Sequence, residues 1–124
     1  MEKIEMEFMV RSSTSVLYDM LSTPSGLSEW FADDVNIKDD IYTFMWDGSE
    51  EEARLLKKKK GEYIRFHWLD HDDEDTYLEM RIKVDPMTNE VAVIVTDFAD
   101  EDDIEETKEL WESQIGELTH RLGV

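Results

Sequence analysis

The sequence predicts an α+β fold in which a strand, a short split helix and about six antiparallel strands precede a long C-terminal helix. Three observations carry it. Apolar and polar residues alternate with period 2 from Ile4 to Arg11, a Thr-Pro step restarts a helix at residue 23, and an apolar stripe runs at helical spacing from Trp111 to Leu122.

In the first strand Ile4, Met6, Phe8 and Val10 share one parity and Glu5, Glu7 and Arg11 the other, with only Met9 breaking the polar face. Ser12, Ser13 and Thr14 then offer N-cap hydroxyls, and Val16, Leu17, Met20 and Leu21 follow at helical spacing. Thr23-Pro24 has the form of a second N-cap with proline at the first helical position, and a short helix from there presents Leu27, Trp30 and Phe31. Strand signals follow in quick succession. Val35 to Lys38 turns at Asp39-Asp40 into Tyr42, Phe44 and Trp46, which share a parity, and Asp47-Gly48 is a two-residue hairpin signal. Ala53 to Lys59 and Tyr63 to Leu69 form the next pair through Lys60-Gly61, with Ile64, Phe66 and Trp68 opposite Arg65 and His67. After an acidic loop from Asp70 to Asp75, Leu78, Met80, Ile82 and Val84 alternate with Glu79, Arg81 and Lys83. Asp85-Pro86 opens a turn that leads into a last strand from Val91 to Phe98. In the final helix Asp103 and Glu106 make an acidic capping box, and Trp111, Ile115, Leu118 and Leu122 form one stripe. Gly123 stands where a helix-ending glycine is expected.

At 124 residues the chain is expected to form one domain spanning 1–124. Its 32 Asp and Glu against 13 Lys and Arg give a net charge of −19, which repels phosphate backbones and anionic headgroups and argues against nucleic-acid and membrane-surface roles. The acids concentrate in the second half. Residues 61–124 hold 19 of them against 5 bases. A 40% hydrophobic and 10% aromatic content supplies a core and argues against disorder. With no cysteine there are no disulfides, thiolate metal sites or thiol catalysis. The start, Met1-Glu2-Lys3-Ile4-Glu5, has no signal-peptide pattern, and no apolar run approaches the ~20 residues of a membrane span. The expectation is a soluble, cytoplasmic chain without membrane insertion, cofactor or metal.

The order of elements and several motifs resemble the helix-grip fold of the START-like (Bet v 1-like, SRPBCC) superfamily, most closely the branch related to the activator of Hsp90 ATPase. Thr23-Pro24 through Leu27 and Trp30-Phe31 resembles that branch's "T-P-x-x-l-x-x-W-f" segment. Phe44-x-Trp46-x-Gly48 followed by Ala53, then Ile64-x-Phe66-x-Trp68, is similar to its central strands. Leu110-Trp111 through Leu118 and Leu122-Gly123 is similar to its last helix. The resemblance implies a curved sheet of six to seven strands wrapped around the C-terminal helix. It also implies an apolar cavity between them that takes lipids, polyketides or other hydrophobic molecules. The same scaffold serves cyclases, dehydratases and co-chaperone modules, so fold alone does not settle function.

The first functional expectation is a ligand pocket lined by Trp30, Phe31, Phe44, Trp46, Phe66, Trp68, Met80, Trp111 and Ile115, with ordinary core packing as the alternative. The second is a protein-interaction module docking through the one basic island, Lys57, Lys58, Lys59 and Lys60, whose default role is protection of an edge strand. Catalysis is the third. Its ionisable candidates, Arg65, His67, Glu79 and Arg81, alternate with the inward residues and are expected to face solvent, and no nucleophile motif or phosphate loop is present. Asp70 to Asp75 lacks the glycine and the final glutamate of an EF-hand and is expected to be a solvated turn, and the acidic run from Asp97 to Glu106 is expected to be a dipole-matched helix entry with surface charge. Val91 to Val95 is apolar on both parities, so its outer face calls for cover from a loop or a second subunit, which raises a homodimer.

Overall fold

Alternation at the N-terminus does form a strand, and the computed structural model, which describes residues 1–123, extends that logic across the chain. Strands β1 (Glu2–Val10), β2 (Asp34–Lys38), β3 (Ile41–Trp46), β4 (Ser49–Lys59), β5 (Tyr63–Trp68), β6 (Leu78–Val84) and β7 (Val91–Ala99) make one antiparallel sheet in the order β1-β7-β6-β5-β4-β3-β2. Helices α1 (Thr14–Ser22) and α2 (Pro24–Trp30) follow β1, and α3 (Ile104–Arg121) closes the chain. This is the helix-grip architecture that the sequence led us to expect.

The register places every inward residue in one layer. Phe8, Val93 and Ile82 lie opposite one another across β1, β7 and β6, as do Met80 and Ile64 across β6 and β5. Trp68 lies opposite Ala53, and Ala53 opposite Tyr42. Onto this face α3 lays Trp111, Ile115 and Leu118, all buried. The split helix depends on one side chain. Thr23 Oγ1 donates to Asp19 O at the end of α1 (2.7 Å) and accepts from Gly26 N at the start of α2 (3.0 Å), so one hydroxyl serves both helix ends. Gly26 sits where the two helices meet, and a Cβ there would lie 2.7 Å from Met20 Cα. Between β3 and β4, Asp47 (φ 40°) and Gly48 (φ 86°) both adopt the left-handed conformation that a tight primed hairpin turn requires.

Five expectations need correction. Val16 is exposed on α1, because its position turns away from the face that buries Leu17, Met20 and Leu21. Asp103 precedes α3 but its side chain makes no capping bond. A 3₁₀ turn at Glu101–Asp103 leads into the helix instead. β4 is not an edge strand, since it pairs with β3 and β5. Only its end, beyond the last β3 pair Ile41–Arg54, overhangs, so Lys57 to Lys59 have a strand neighbour on the β5 side alone. A bulge between Leu55 and Lys57 also breaks their strict alternation. His67 and Glu79 do lie on the outer face with Arg65 and Arg81, yet both are buried (2% and 7% exposed) because the 70–77 loop and the flanking arginines cover them. Finally, Asp97 is not surface dressing. It shares the inward parity of Val93 and Val95.

The outer face of β7 finds cover within the sheet. Ala92 and Thr96 are buried and Ile94 is half-buried, with Glu7 of β1 and Arg81 of β6 directly across the ladders from Ile94. The long stem of Arg81 is placed by the register to contribute to that cover. Among the described residues, no helix is long and apolar enough to cross a membrane.

Candidate functional site: an aromatic cleft beside the C-terminal helix

Sheet and helix do not close completely against each other. Beside the first half of α3 they leave a solvent-open cleft of about 420 Å³, lined by Phe31, Trp46, Glu51, Trp68, Asp70, His71, Leu78, Asp97, Phe98, Thr107, Leu110, Trp111 and Gln114. Its aromatic wall is fixed by packing around Phe31. The Phe31 ring lies 5.2 Å from Phe44, 5.3 Å from Trp30, 5.4 Å from Trp46 and 5.8 Å from Trp111. These are ordinary edge-to-face and offset separations. Two indoles are also pinned by their N–H groups: Trp46 Nε1 donates to Phe31 O (2.6 Å) and Trp111 Nε1 to Asp97 Oδ2 (2.9 Å).

Of the nine predicted ligand-binding residues, Phe31, Trp46, Trp68 and Trp111 come together on this cleft. Trp30, Phe44, Phe66, Met80 and Ile115 lie in the closed core behind it, each at most 6% exposed. Trp30 is held there by its own bond to Met20 O (2.7 Å). Sequence reasoning missed the polar wall: Glu51, Asp70, His71 and Asp97. Parity could have found Asp97 and also Glu51, which faces Phe44 across the β3–β4 ladder. The remaining two come from a loop whose course no local pattern reveals.

Asp97 is a perturbed carboxyl group within the cleft. Burial raises its pKa above the ordinary carboxylate value, partly offset by hydrogen bonds from Trp111 and Phe98 N and by the nearby His71. Both carboxylate oxygens are therefore engaged by donors in a half-buried setting.

The catalytic candidates form a separate cluster on the opposite face. Arg65 donates to Glu79 Oε1 from Nε (3.0 Å) and Nη2 (2.7 Å), and Arg81 Nε donates to Oε2 (3.2 Å). Burial pushes the Glu79 pKa up, but the hydrogen bonds and charges of Arg81 and Arg65 outweigh it, so the net shift is downward. The guanidinium groups of Arg65 and Arg81 sit over the rings of Tyr77 (4.4 Å) and Tyr63 (4.3 Å). His67 Nδ1 faces Thr76 O at 2.8 Å, so it must carry the proton and donate, and Nε2 lies 3.8 Å from Glu74. Glu79 is thus held from both sides by arginines, and the His67 bond to Thr76 O ties the 70–77 loop to the sheet. Among the described residues no group of three or more His, Cys, Asp or Glu is arranged to hold a metal.

The fold has known counterparts. The profile of the START-like superfamily domain matches residues 1–124. The solution NMR structure of BfR322 from Bacteroides fragilis is 35% identical, covers 98% of this chain and 90% of its own, and superposes with a TM-score of 0.69. The solution structure of the Aha1 dimer from Colwellia psychrerythraea is 16% identical over 96% of this chain and 94% of its own (TM-score 0.81). DynU16, from the dynemicin biosynthetic locus, is 12% identical over 98% of this chain and 47% of its own (TM-score 0.83). The last two likenesses are of fold alone. No curated protein matches. With the helix-grip topology and the full-length profile in agreement, the chain belongs to the START-like superfamily.

Proposed function

We propose that this chain is a cytoplasmic, non-catalytic binder of a hydrophobic small molecule, lipid-like or polyketide-like, seated in the cleft between the sheet and α3. The carrying observation is the cleft itself: about 420 Å³, with Phe31, Trp46, Trp68 and Trp111 on its wall. That volume lies within the ~300–1,000 Å³ of small-molecule sites. Trp30, Phe44, Phe66, Met80 and Ile115 form the layer against which those aromatics rest and would adjust to an occupant. The absence of catalysis is supported by the placement of Arg65, His67, Glu79 and Arg81 on the far face of the sheet, with both arginines bonded to Glu79 and His67 to Thr76 O rather than aimed at the cleft. Native mass spectrometry of the purified protein is expected to show a small-molecule adduct, and the neutral dye Nile red is expected to brighten on binding. Trp68→Arg, which fills the cleft with a charged side chain, is expected to abolish that brightening. A clean apo mass together with dark Nile red would overturn the reading.

The overhang of β4 favours a second reading, a protein-interaction module. Leu56 is 43% exposed there beside the exposed Lys57, Lys58, Lys59 and Lys60. Reversing those four charges is expected to abolish recovery of a protein partner, and unchanged recovery counts against docking at this site. A homodimer is a further proposal, supported by the fold's likeness to the Aha1 dimer. Sedimentation showing only monomer at micromolar concentration would remove it.

A further inference from the structure

We infer that the cleft selects an organic cation, an alkylammonium or quaternary ammonium group carried on an apolar body, over a neutral or anionic molecule of the same size. The inference rests on the cleft being a ligand site and adds the charge of its occupant. Three tryptophans and three carboxylates line the same cleft. Trp46 and Trp68 are part-exposed on it, and the Trp46 N–H is engaged by Phe31 O, so that indole offers an occupant π surface rather than a hydrogen bond. The face of an indole attracts cations, and does so more strongly where water is excluded. Glu51, Asp70 and Asp97 border the same space, with no Lys or Arg among the lining residues and His71 as the sole basic side chain.

Asp97 adds an independent argument. It stands on the inward row of β7 after Val91, Val93 and Val95, half-buried, where a carboxylate is costly to desolvate. Its two donors and His71 offset part of that cost, and a cation in the cleft would offset more. A neutral lipid gains nothing from these three acids, and a fatty acid is repelled by them. The field of a chain carrying −19 enriches cations at the cleft mouth in the same sense.

The test uses the intact protein and three molecules of similar length: hexyltrimethylammonium, 1-heptanol and heptanoate. Binding is followed by tryptophan emission at about 150 mM salt, where diffuse surface attraction is screened beyond roughly 8 Å. The cation is expected to bind about tenfold more tightly than 1-heptanol, with heptanoate weakest. The double variant Glu51→Gln/Asp70→Asn is expected to lose about fivefold in cation affinity while its heptanol affinity stays unchanged. Glu109→Gln/Glu112→Gln, which removes the same charge from exposed positions of α3 outside the cleft lining, is expected to change neither by more than about twofold. Equal binding of cation and alcohol overturns the charge preference but leaves the ligand site standing. So does an equal loss in the two double variants, which would assign the preference to the general field. Failure of all three molecules to bind overturns the site and the preference together.

Discussion

Replacing Gly26 with alanine forces a methyl group into the seam between α1 and α2, where it meets Asp19 O and lies 2.7 Å from Met20 Cα and 2.9 Å from Asp19 C. All three are backbone atoms, which cannot swing aside as a side-chain end can. Carbon atoms rest comfortably at ~3.5–4.0 Å, so the helices must part by about 1 Å. Overpacking of that kind costs roughly 1–3 kcal/mol. Parting also stretches the Thr23 hydroxyl bridge between the two helix ends, worth about 1 kcal/mol as a cap. Against this, alanine in a helix gains about 0.5–1 kcal/mol over glycine. The net expectation is destabilisation by about 2 kcal/mol. The same substitution at Gly116, exposed within α3 with nothing within 4 Å of its would-be Cβ, carries only the gain and should stabilise by about 0.5–1 kcal/mol. Urea titrations followed by tryptophan emission measure both, and Trp30, bonded to Met20 O beside the seam, reports on it directly. A Gly26→Ala midpoint equal to or above that of the native chain would refute the close-approach argument.

Thr23→Ala is expected to cost about 1–2 kcal/mol in the same assay, and Thr23→Ser to recover most of it, because only the hydroxyl serves both helices. Glu79→Gln should cost about 1–2 kcal/mol at neutral pH, since two part-exposed arginines lose their charged acceptor. The Glu79 pKa is lowered in the folded state, so its contribution is present above the ordinary carboxylate range and fades as pH falls below it. The gap between native and variant midpoints should therefore close on acidification, and a constant gap would count against the ion cluster. Asp97 has the opposite sign. Its raised pKa means that the folded chain holds that proton more tightly, so stability falls as pH climbs from the ordinary carboxylate value through the raised one. In Asp97→Asn that downward slope should be missing, while an identical pH profile in the two proteins would contradict a desolvated carboxylate.

Much of the fold was legible because its signals are local. Period-2 alternation in β1 and β6, the Asp47-Gly48 turn and the Trp111–Leu122 stripe each need only a few neighbouring residues to declare themselves. Burial of His67 was not legible, because it depends on the 70–77 loop folding back so that Thr76 O meets its ring, a contact nine residues apart that follows no period. The aromatic half of the cleft could be read from parity, whereas its position could not. Whether a tryptophan faces a gap or a neighbour depends on where the strands end relative to α3, so Phe44 and Trp46, two residues apart on one face, differ in accessibility. Asp97 was concealed by its company. A run rich in acids reads as surface, although Asp97 continues the parity of Val93 and Val95 and pairs with the buried Ile4.

The pairing of β1 with β7 has a kinetic consequence. It joins residues 81 to 97 positions apart, from Val10–Val91 to Glu2–Ala99. β1 thus has no partner strand until β7 is made, after the five strands that lie between them in the chain. Contacts of such long range slow folding, because loop-closure entropy must be overcome before they form. Throughout that wait β1 is an unpaired strand with an apolar face, the kind of segment that aggregates. Its Glu2, Glu5 and Glu7 put negative charge on that waiting strand. Two nascent chains side by side would bring those glutamates together, so like-charge repulsion guards the interval before β7 arrives.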